Sequence, residues 1–414
     1  MTYIEFFDKT SLENVCACLT DTPERVIFVG DNEELMNRYK ENYKKVFARR
    51  HKNIEFLCRK IVKGNVDNII EVLTKIINEY ENCVFGITGG DEMLMLALGM
   101  VYERYSHKNI QIHKFGIEDN RIFDCDKDGN TVYKDTPQLT VKENVQIYGG
   151  DVAIGDIWEN KTYLWDMNAD FLRDIETMWS ICKYGVGAWN TQITVFEAID
   201  KVGNVTNDGK TVTANVSDLH DYMTKNKISY RMIFGIINKL RREGLLTAYV
   251  ETQEQISVSY KNEQVRKCLI KAGQVLEMKI YATARAVKDT EGIPVYHDVM
   301  NGVVIDWDGV LHEKNEKFFD TKNEIDVLLM KDMIPIFISC KNGRFDMEEL
   351  YKLNTVAERF GGKYSKKVLV ATCLNKLGET GKYIRQRAKD MDIYLLEGVQ
   401  GMDDAILEAE LRSL

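Results

Sequence analysis

The sequence has little proline, no cysteine pair at metal-ligand spacing and no long apolar run. Four prolines in 414 residues, with 44% hydrophobic residues, exclude long disordered or collagen-like regions. The nine cysteines form no CxxC motif, so we expect reduced, mostly buried thiols. The N-terminal MTYIEFFDKT lacks the basic and apolar regions of a signal peptide, and no stretch of about 18 apolar residues occurs. We therefore expect a soluble, cytoplasmic protein that does not contact membranes.

An excess of positive charge is also missing. The net charge of -9 argues against binding of nucleic acid across the whole surface, because phosphates are neutralised by clustered lysine and arginine. Local basic clusters occur at 239–243, 363–367 and 382–389. A solvated helix face or loop is the simpler interpretation of each cluster.

The chain is too long for one hydrophobic core, and its patterns divide it into three parts. Residues 1–150 alternate strands and helices, as in a Rossmann-like open sheet. Residues 263–414 predict one helix over 263–287 as the first element of an αβββαβ order. We expect an α/β protein with domains over 1–155, 156–262 and 263–414.

The middle part contains a segment typical of a winged helix. Over 217–261 two helices precede a hairpin, and the second helix is predicted to begin after a cap at Ser229. Two interpretations stay open. The segment spaces two larger domains, or its second helix enters a DNA major groove through Tyr230 and Arg231.

Polar residues interrupt two apolar strands in NEIDVLLMKDMIPIFISCKNG, residues 323–343. Residues two apart share a strand face, so Glu324 and Asp326 point together, as do Ser339 and Lys341 on the next strand. Carboxylates of this kind hold Mg²⁺ or Mn²⁺, and a lysine offsets charge on phosphorus during phosphodiester hydrolysis.

The predicted roles in this site follow from the chemistry of each side chain. Asp326 is the main metal ligand, and Glu324 supplies a second carboxylate. Glu277, on the preceding helix, completes the metal shell or positions a metal-bound water. The alternative is a structural ion pair of Asp326 with Lys341 at an edge strand, which leaves the other acids unexplained.

Two loops of the first part predict a phosphate-binding edge. ITGGDE places glycines between a strand and a helix that starts near Asp91, where backbone N–H groups favour phosphate. An ordinary strand-to-helix turn explains this segment equally well. The loop FDKTS after the first strand reaches the same carboxyl edge of the sheet, where open α/β sheets bind ligands. The candidate residues are Lys9, Thr10, Ser11, Thr88, Gly89, Gly90 and Asp91.

The set of helix glutamate, strand aspartate and strand lysine resembles the PD-(D/E)xK restriction-endonuclease-like family over 263–414. NEID corresponds to its first acidic motif and SCK to its (D/E)xK motif. Ser339 stands where the family has an acid. Because a hydroxyl binds metal more weakly than a carboxylate, either Glu324 takes over this duty or the site is weaker and prefers Mn²⁺.

The first part resembles the CARF domains (CRISPR-associated Rossmann fold), which sense cyclic oligoadenylates in type III CRISPR immunity. The order of the three parts resembles the CARF–restriction-endonuclease effectors. This resemblance implies a homodimer activated by cyclic tetra-adenylate that cuts or nicks DNA and cuts single-stranded RNA with Mn²⁺ or Mg²⁺. It implies that the loop residues named above line the nucleotide pocket and that Glu324, Asp326 and Lys341 cleave.

Two other functions remain open from the sequence. One is a ligand-responsive transcription regulator that uses the winged-helix segment and has an inert C-terminal domain. The other is a nuclease that is always active, with the N-terminal sheet serving only dimerisation.

Overall fold

The first sheet contains seven strands. The computed structural model describes residues 1–8, 12–50, 52–116, 121–125, 130–310, 312 and 322–414. The strand order is 3-2-1-4-5-6-7, with β1 to β5 parallel and β6 and β7 added antiparallel at one edge. The strands are β1 (Thr2–Phe6), β2 (Arg25–Gly30), β3 (Glu55–Lys60), β4 (Cys83–Gly86), β5 (Ile110–Gly116), β6 (Arg121–Cys125) and β7 (Thr131–Asp135).

Four helices cover the two faces of this sheet. They are α1 (Cys16–Thr20), α2 (Glu33–Arg49), α3 (Val66–Glu79) and α4 (Glu92–Arg104). The last two pack on one face of the sheet and the first two on the other. The order of the strands reverses between β1 and β4, and in doubly wound sheets this switch point is where ligands bind.

The middle of the chain begins with two elements that join the C-terminal sheet and ends with a winged-helix unit. Strand β8 pairs with the C-terminal sheet, and a second sheet has the order β11-β12-β10-β9. The elements are α5 (Val141–Ile147), β8 (Asp151–Val152), α6 (Ala169–Lys183), α7 (Val186–Val202), β9 (Asn204–Val205), β10 (Thr211–Asn215), α8 (Val216–Lys225), α9 (Phe234–Arg242), β11 (Leu246–Glu251) and β12 (Gln255–Tyr260).

The winged-helix prediction is confirmed, and the unit is larger than predicted because α7 and β10 belong to it. A 3-10 turn over Tyr230–Ile233 precedes α9. The hydroxyl of Ser229 makes no capping hydrogen bond to this turn. The predicted side-chain cap is therefore wrong, although the helical segment begins where the sequence placed it.

The C-terminal part is a six-stranded mixed sheet with the order β17-β16-β15-β14-β13-β8. The strands from β13 to β15 are antiparallel, and β15 to β17 are parallel. The elements are α10 (Glu263–Leu269), α11 (Gln274–Ala286), β13 (Asp298–Asp306), β14 (Lys322–Lys331), β15 (Ile334–Lys341), α12 (Glu348–Gly361), β16 (Lys366–Ala371), α13 (Glu379–Asp390), β17 (Ile393–Glu397) and α14 (Asp404–Ser413).

The predicted single helix over 263–287 is wrong. It consists of α10 and α11, which are separated by residues 270–273. Gly273 precedes α11, and glycine is a poor residue for a helix interior because it loses the most backbone entropy.

Both faces of the C-terminal sheet are buried. One face packs on α11 and on the middle helices, whereas the other packs on α12 and on the helices beneath the N-terminal sheet. The predicted α/β class is confirmed. The predicted boundary at 155 would assign β8 to the first domain, although β8 pairs with β13, and both domain boundaries stay predictions. None of the described helices has the length and apolar character needed to cross a membrane.

Candidate active site and ligand cavity

Three carboxylates, one from a helix and two from one strand, converge at one end of the C-terminal sheet. Glu277 lies on α11, and Glu324 and Asp326 lie on β14. Each offers an oxygen within 4.8 Å of the others. Glu277 is only 3% exposed, whereas Glu324 is 44% exposed. The cluster therefore has a buried wall and an open side.

A local break in the sheet ladder lies next to Asp326. Gly302 of β13 has a φ of +58°, a left-handed conformation that glycine adopts without steric cost. The side chain of the neighbouring Asn301 donates to the carbonyl oxygen of Asp326 at 2.8 Å. The Asn301 side chain thus links β13 to β14 directly at Asp326.

The end of β15 holds the Asp326 carboxylate. Its Oδ2 accepts a hydrogen bond from the backbone N–H of Cys340 at 2.6 Å and another from the hydroxyl of Ser339 at 3.2 Å. The sequence predicted Ser339 as a weak substitute for an acidic ligand. In the structure its hydroxyl is a hydrogen-bond donor to Asp326. Both bonds orient one carboxylate oxygen and leave the other for a different partner.

Electrostatics at the cluster favour a cation. Burial, and then the neighbouring charge of Asp326, raise the pKa of Glu277 to about 8. Burial also raises the pKa of Asp326, against the opposing effects of Lys341 and of the Cys340 N–H. Since buried carboxylates this close repel one another, positive charge between them is strongly stabilised.

Lys271 supplies such charge and was missed from the sequence. It lies in the break between α10 and α11. Its Nζ is 2.8 Å from Glu324 Oε1 and 3.4 Å from Glu277 Oε1. Burial opposes the shift, but Glu277 and Glu324 raise the pKa of Lys271 above its ordinary range. The glycine at 273 was the available signal for the break.

Lys341 is the last residue of β15, the strand that also carries Ser339, and it has a partner on the next helix. Its Nζ is 2.5 Å from Oε2 of Glu349 in the first turn of α12. Its charge also lowers the pKa of Asp326. The Lys341 side chain is thus close enough to the cluster to act on it electrostatically while it is hydrogen-bonded to Glu349.

A cavity of about 750 Å³ lies at the carboxyl edge of the N-terminal sheet. It is lined by the ends of β1 to β4 and the loops that follow them. The described lining residues include two lysines and five acids. The chemistry-bearing members are Asp8, Asp31, Asn32, Glu33, Glu34, Lys60, Lys63 and Asp91.

The predicted cavity residues have different positions. Gly90 and Asp91 line the cavity, and Asp91 caps α4 by accepting from the N–H of Leu94 at 3.0 Å. The hydroxyl of Thr88 instead accepts from the N–H of Phe115 on β5 at 2.7 Å. A Cβ on Gly89 would lie 2.5 Å from the Phe6 carbonyl oxygen, so this loop approaches β1 closely.

The remaining predicted cavity residues Lys9, Thr10 and Ser11 lie outside the described residues. The loops after β2 and β3 were missed. Because β1 to β4 are parallel, all four loops leave the same edge of the sheet, and this topology was the signal that could have found them.

Comparison with known proteins gives fold relationships at low identity. No family model matches the chain, and no curated protein matches it. Protein VC1899 from Vibrio cholerae is 17% identical, with 100% of this chain and 97% of that chain covered at a TM-score of 0.71. Can2 from Sulfobacillus thermosulfidooxidans, in complex with cyclic tetra-adenylate, is 16% identical, with 100% and 95% covered at a TM-score of 0.61.

The chain has the fold of these two proteins. The similarity extends over the whole chain, so it includes the N-terminal sheet, the winged-helix unit and the C-terminal sheet. The fold expected from the resemblance to CARF nucleases is confirmed. At this level of identity the relationship concerns architecture, whereas function depends on the residues of the site.

Proposed function

We propose that the chain is a metal-dependent nuclease of type III CRISPR defence that is activated by cyclic tetra-adenylate. The observation that carries this proposal is the convergence of Glu277, Glu324 and Asp326 within 4.8 Å, close to Lys341, in a fold shared with a protein that binds cyclic tetra-adenylate. The proposed substrates are DNA, which is cut or nicked, and single-stranded RNA.

The residues of the cluster fit a divalent cation. Hard oxygen ligands suit Mn²⁺ and Mg²⁺, and burial together with the charge of Asp326 raises the pKa of Glu277, as expected where acids are packed closely enough to share a metal. Glu277, Glu324 and Asp326 would hold the ion, which when bound supplies Lewis acidity toward water and phosphate. Ser339 and the Cys340 N–H orient Asp326 for this duty.

Lys341 is proposed to act on the substrate. A phosphodiester gains negative charge in the transition state, and a lysine beside it stabilises that charge. The Lys341 ammonium pairs with Glu349 at 2.5 Å, so it must exchange this partner for a phosphate oxygen. Glu349 is therefore proposed to keep Lys341 oriented until the nucleic acid enters.

The N-terminal cavity is proposed to bind the cyclic nucleotide. Asp31 and Asn32 provide acceptors for the amino group of adenine, and Lys60 and Lys63 provide cations for phosphates. The resemblance adds Lys9, Thr10 and Ser11 to this wall. A cavity of about 750 Å³ matches the usual size of small-molecule sites, about 300–1,000 Å³.

A homodimer would place two such cavities together. Helix α4 begins beside the cavity, and its outer face exposes Met93, Leu96 (54% exposed) and Met100. Their spacing of three and four residues forms one apolar stripe. A second copy is the proposed partner of this stripe, because a twofold dimer can hold one half of a ring ligand in each subunit. Leu96→Glu should give monomers in analytical ultracentrifugation.

Contacts between the two sheets offer a route for activation. The loop after β1 carries the buried Glu13, which accepts from the Tyr364 hydroxyl at 2.7 Å and pairs with Lys363 at 2.5 Å. These two residues directly follow α12, and the first turn of α12 carries Glu349, the partner of Lys341. A movement of the loop after β1 on ligand binding would therefore be transmitted through α12 to Glu349 and Lys341 in the candidate active site.

This route predicts a separation of binding from activation. The double variant Lys363→Ala/Tyr364→Phe should bind cyclic tetra-adenylate normally in isothermal titration calorimetry. Its ligand-stimulated cleavage should fall by about tenfold or more, the size of a typical coupling energy. Lys382→Ala, an exposed lysine of α13, is the control.

The nuclease proposal is tested by supercoiled-plasmid and single-stranded RNA cleavage, each with and without Mn²⁺ and with and without cyclic tetra-adenylate. Cleavage should require both additions. Lys341→Ala should reduce the rate by about a hundredfold to a thousandfold, as expected for loss of transition-state stabilisation, and Lys382→Ala should not. Full cleavage by Lys341→Ala would overturn the catalytic assignment, and full cleavage without the nucleotide would favour an always-active nuclease.

A transcription regulator is the second candidate, since the winged-helix unit is complete. The hydroxyls of Tyr230 and Tyr249 both contact Glu251 of the hairpin, so Tyr230 is engaged by the wing. Sequence-specific duplex binding without cleavage would favour this function over the nuclease.

A further inference from the structure

We propose that the ammonium group of Lys271 competes with the divalent cation for Glu277 and Glu324, and so sets the metal concentration at which the site loads. The inference rests on the proposed metal site and assigns a role to a residue outside the sequence motifs. Lys271 is a positioning residue, because it affects metal binding only through the carboxylates of Glu277 and Glu324.

The competition follows from distance. Nζ of Lys271 lies 2.8 Å from Glu324 Oε1 and 3.4 Å from Glu277 Oε1. A divalent cation bound to the same two carboxylates would sit about 2.0–2.6 Å from their oxygens, within a few ångströms of that ammonium. Two cations at such a separation repel each other strongly even at an effective dielectric constant of about 20. One of them has to leave.

The surroundings of Lys271 allow its side chain to leave. The side chain is 45% exposed, and its residue belongs to the break between α10 and α11. The backbone of this break is held in place, since Asn342 donates to the carbonyl oxygen of Ala272 at 3.3 Å. The ammonium group can therefore swing into solvent without movement of the helices.

Lys279, on the same helix as Glu277, shows what a fixed ion pair looks like in this protein. Its side chain is 4% exposed and is enclosed between Glu176 and Asp404. A cation buried in this way is costly to move. Lys271, in contrast, faces the open side of the carboxylate cluster, so it is the lysine that a metal can displace.

The test is a Mn²⁺ titration of the full chain by isothermal titration calorimetry. Lys271→Met removes the competing charge and should tighten Mn²⁺ binding about tenfold, which corresponds to about 1.4 kcal/mol. Lys271→Gln should act in the same way if the Met variant folds poorly. Lys271→Arg keeps the charge and should bind Mn²⁺ like the wild type.

Lys267→Met is the matched control, because Lys267 is a nearby lysine on α10 that pairs with Glu263. It should leave Mn²⁺ affinity unchanged. Affinity of Lys271→Met within twofold of the wild type, with binding still abolished by Glu277→Gln, would overturn the competition. Absence of Mn²⁺ binding from both the wild type and Lys271→Met would instead overturn the proposed metal site, and the competition with it.

Discussion

Two buried glutamates of this protein have opposite surroundings. Glu5 lies in the centre of the N-terminal sheet and contacts Nε2 of His113 at 2.9 Å, and both side chains are buried. Glu277 is equally buried but faces two other carboxylates and the half-exposed Lys271. The first acid is in a closed pair, whereas the second has a partner that can be exchanged.

The closed pair depends on a missing side chain. Glu5, Gly86 and His113 occupy neighbouring positions on β1, β4 and β5. A Cβ on Gly86 would lie 1.9 Å from Oε2 of Glu5 and 2.8 Å from Nε2 of His113. The pair thus reaches across the central strand through the space that glycine leaves open.

The difference shows how burial alone fails to identify a functional acid. Either glutamate would destabilise the folded state if its buried charge had no partner. What distinguishes Glu277 is its convergence with other carboxylates in a cluster that opens to solvent at Glu324, the two conditions for holding a metal.

Gly86→Ala should disrupt the closed pair. Its methyl group would overlap Glu5 and force the buried ion pair apart, so we expect a loss of about 3–5 kcal/mol in the free energy of unfolding. Urea unfolding followed by circular dichroism measures this loss. Gly187→Ala is the control, because no atom lies within 4 Å of a Cβ added there. Similar stability of the two variants would show that the pair tolerates separation.

Ser339→Ala should weaken the open site while leaving the fold intact. Asp326 would lose one donor but keep the Cys340 N–H, and a hydrogen bond to a charged group contributes about 1.5–3 kcal/mol. We expect kcat/KM for plasmid cleavage to fall about tenfold or more and Ser339→Thr to retain most activity. Equal rates for wild type and Ser339→Ala would show that the hydroxyl does not orient Asp326.

The closed pair should also give a small dependence of stability on pH. Burial lowers the pKa of His113, but the charge and hydrogen bond of Glu5 outweigh it and raise the pKa above its ordinary value of 6.5. A raised histidine pKa stabilises the fold fully below pH 6.5 and loses this effect as pH rises through the folded-state value. Unfolding free energies between pH 6 and 9 measure it. His113→Gln should flatten the profile, and the exposed His220→Gln should not.

Local patterns predicted the strands of the candidate site well. The alternation in NEID and SCK follows from the two-residue period of a strand, and β14 and β15 carry the residues expected on each. The proximity of Glu277 to the strand acids was also anticipated. These features depend on residues close in sequence or on a motif order.

Lys271 and Glu349 could not be predicted in the same way. In an unbroken helix, Lys271 would lie six residues from Glu277, on a different face. Only the break at 270–273 brings the two side chains together. Glu349 meets Lys341 through the packing of α12 on the sheet, which is a tertiary contact without a local sequence signal.

The most direct test of the proposed metal site is the number of Mn²⁺ ions bound per chain, counted by electron paramagnetic resonance. The wild type and Glu5→Gln should each bind Mn²⁺ at the carboxylate cluster, with one ion per chain lost in Asp326→Asn and in Glu277→Gln. A wild type that binds no Mn²⁺, or an Asp326→Asn variant that keeps the full number, would contradict the claim that the open cluster is a metal site.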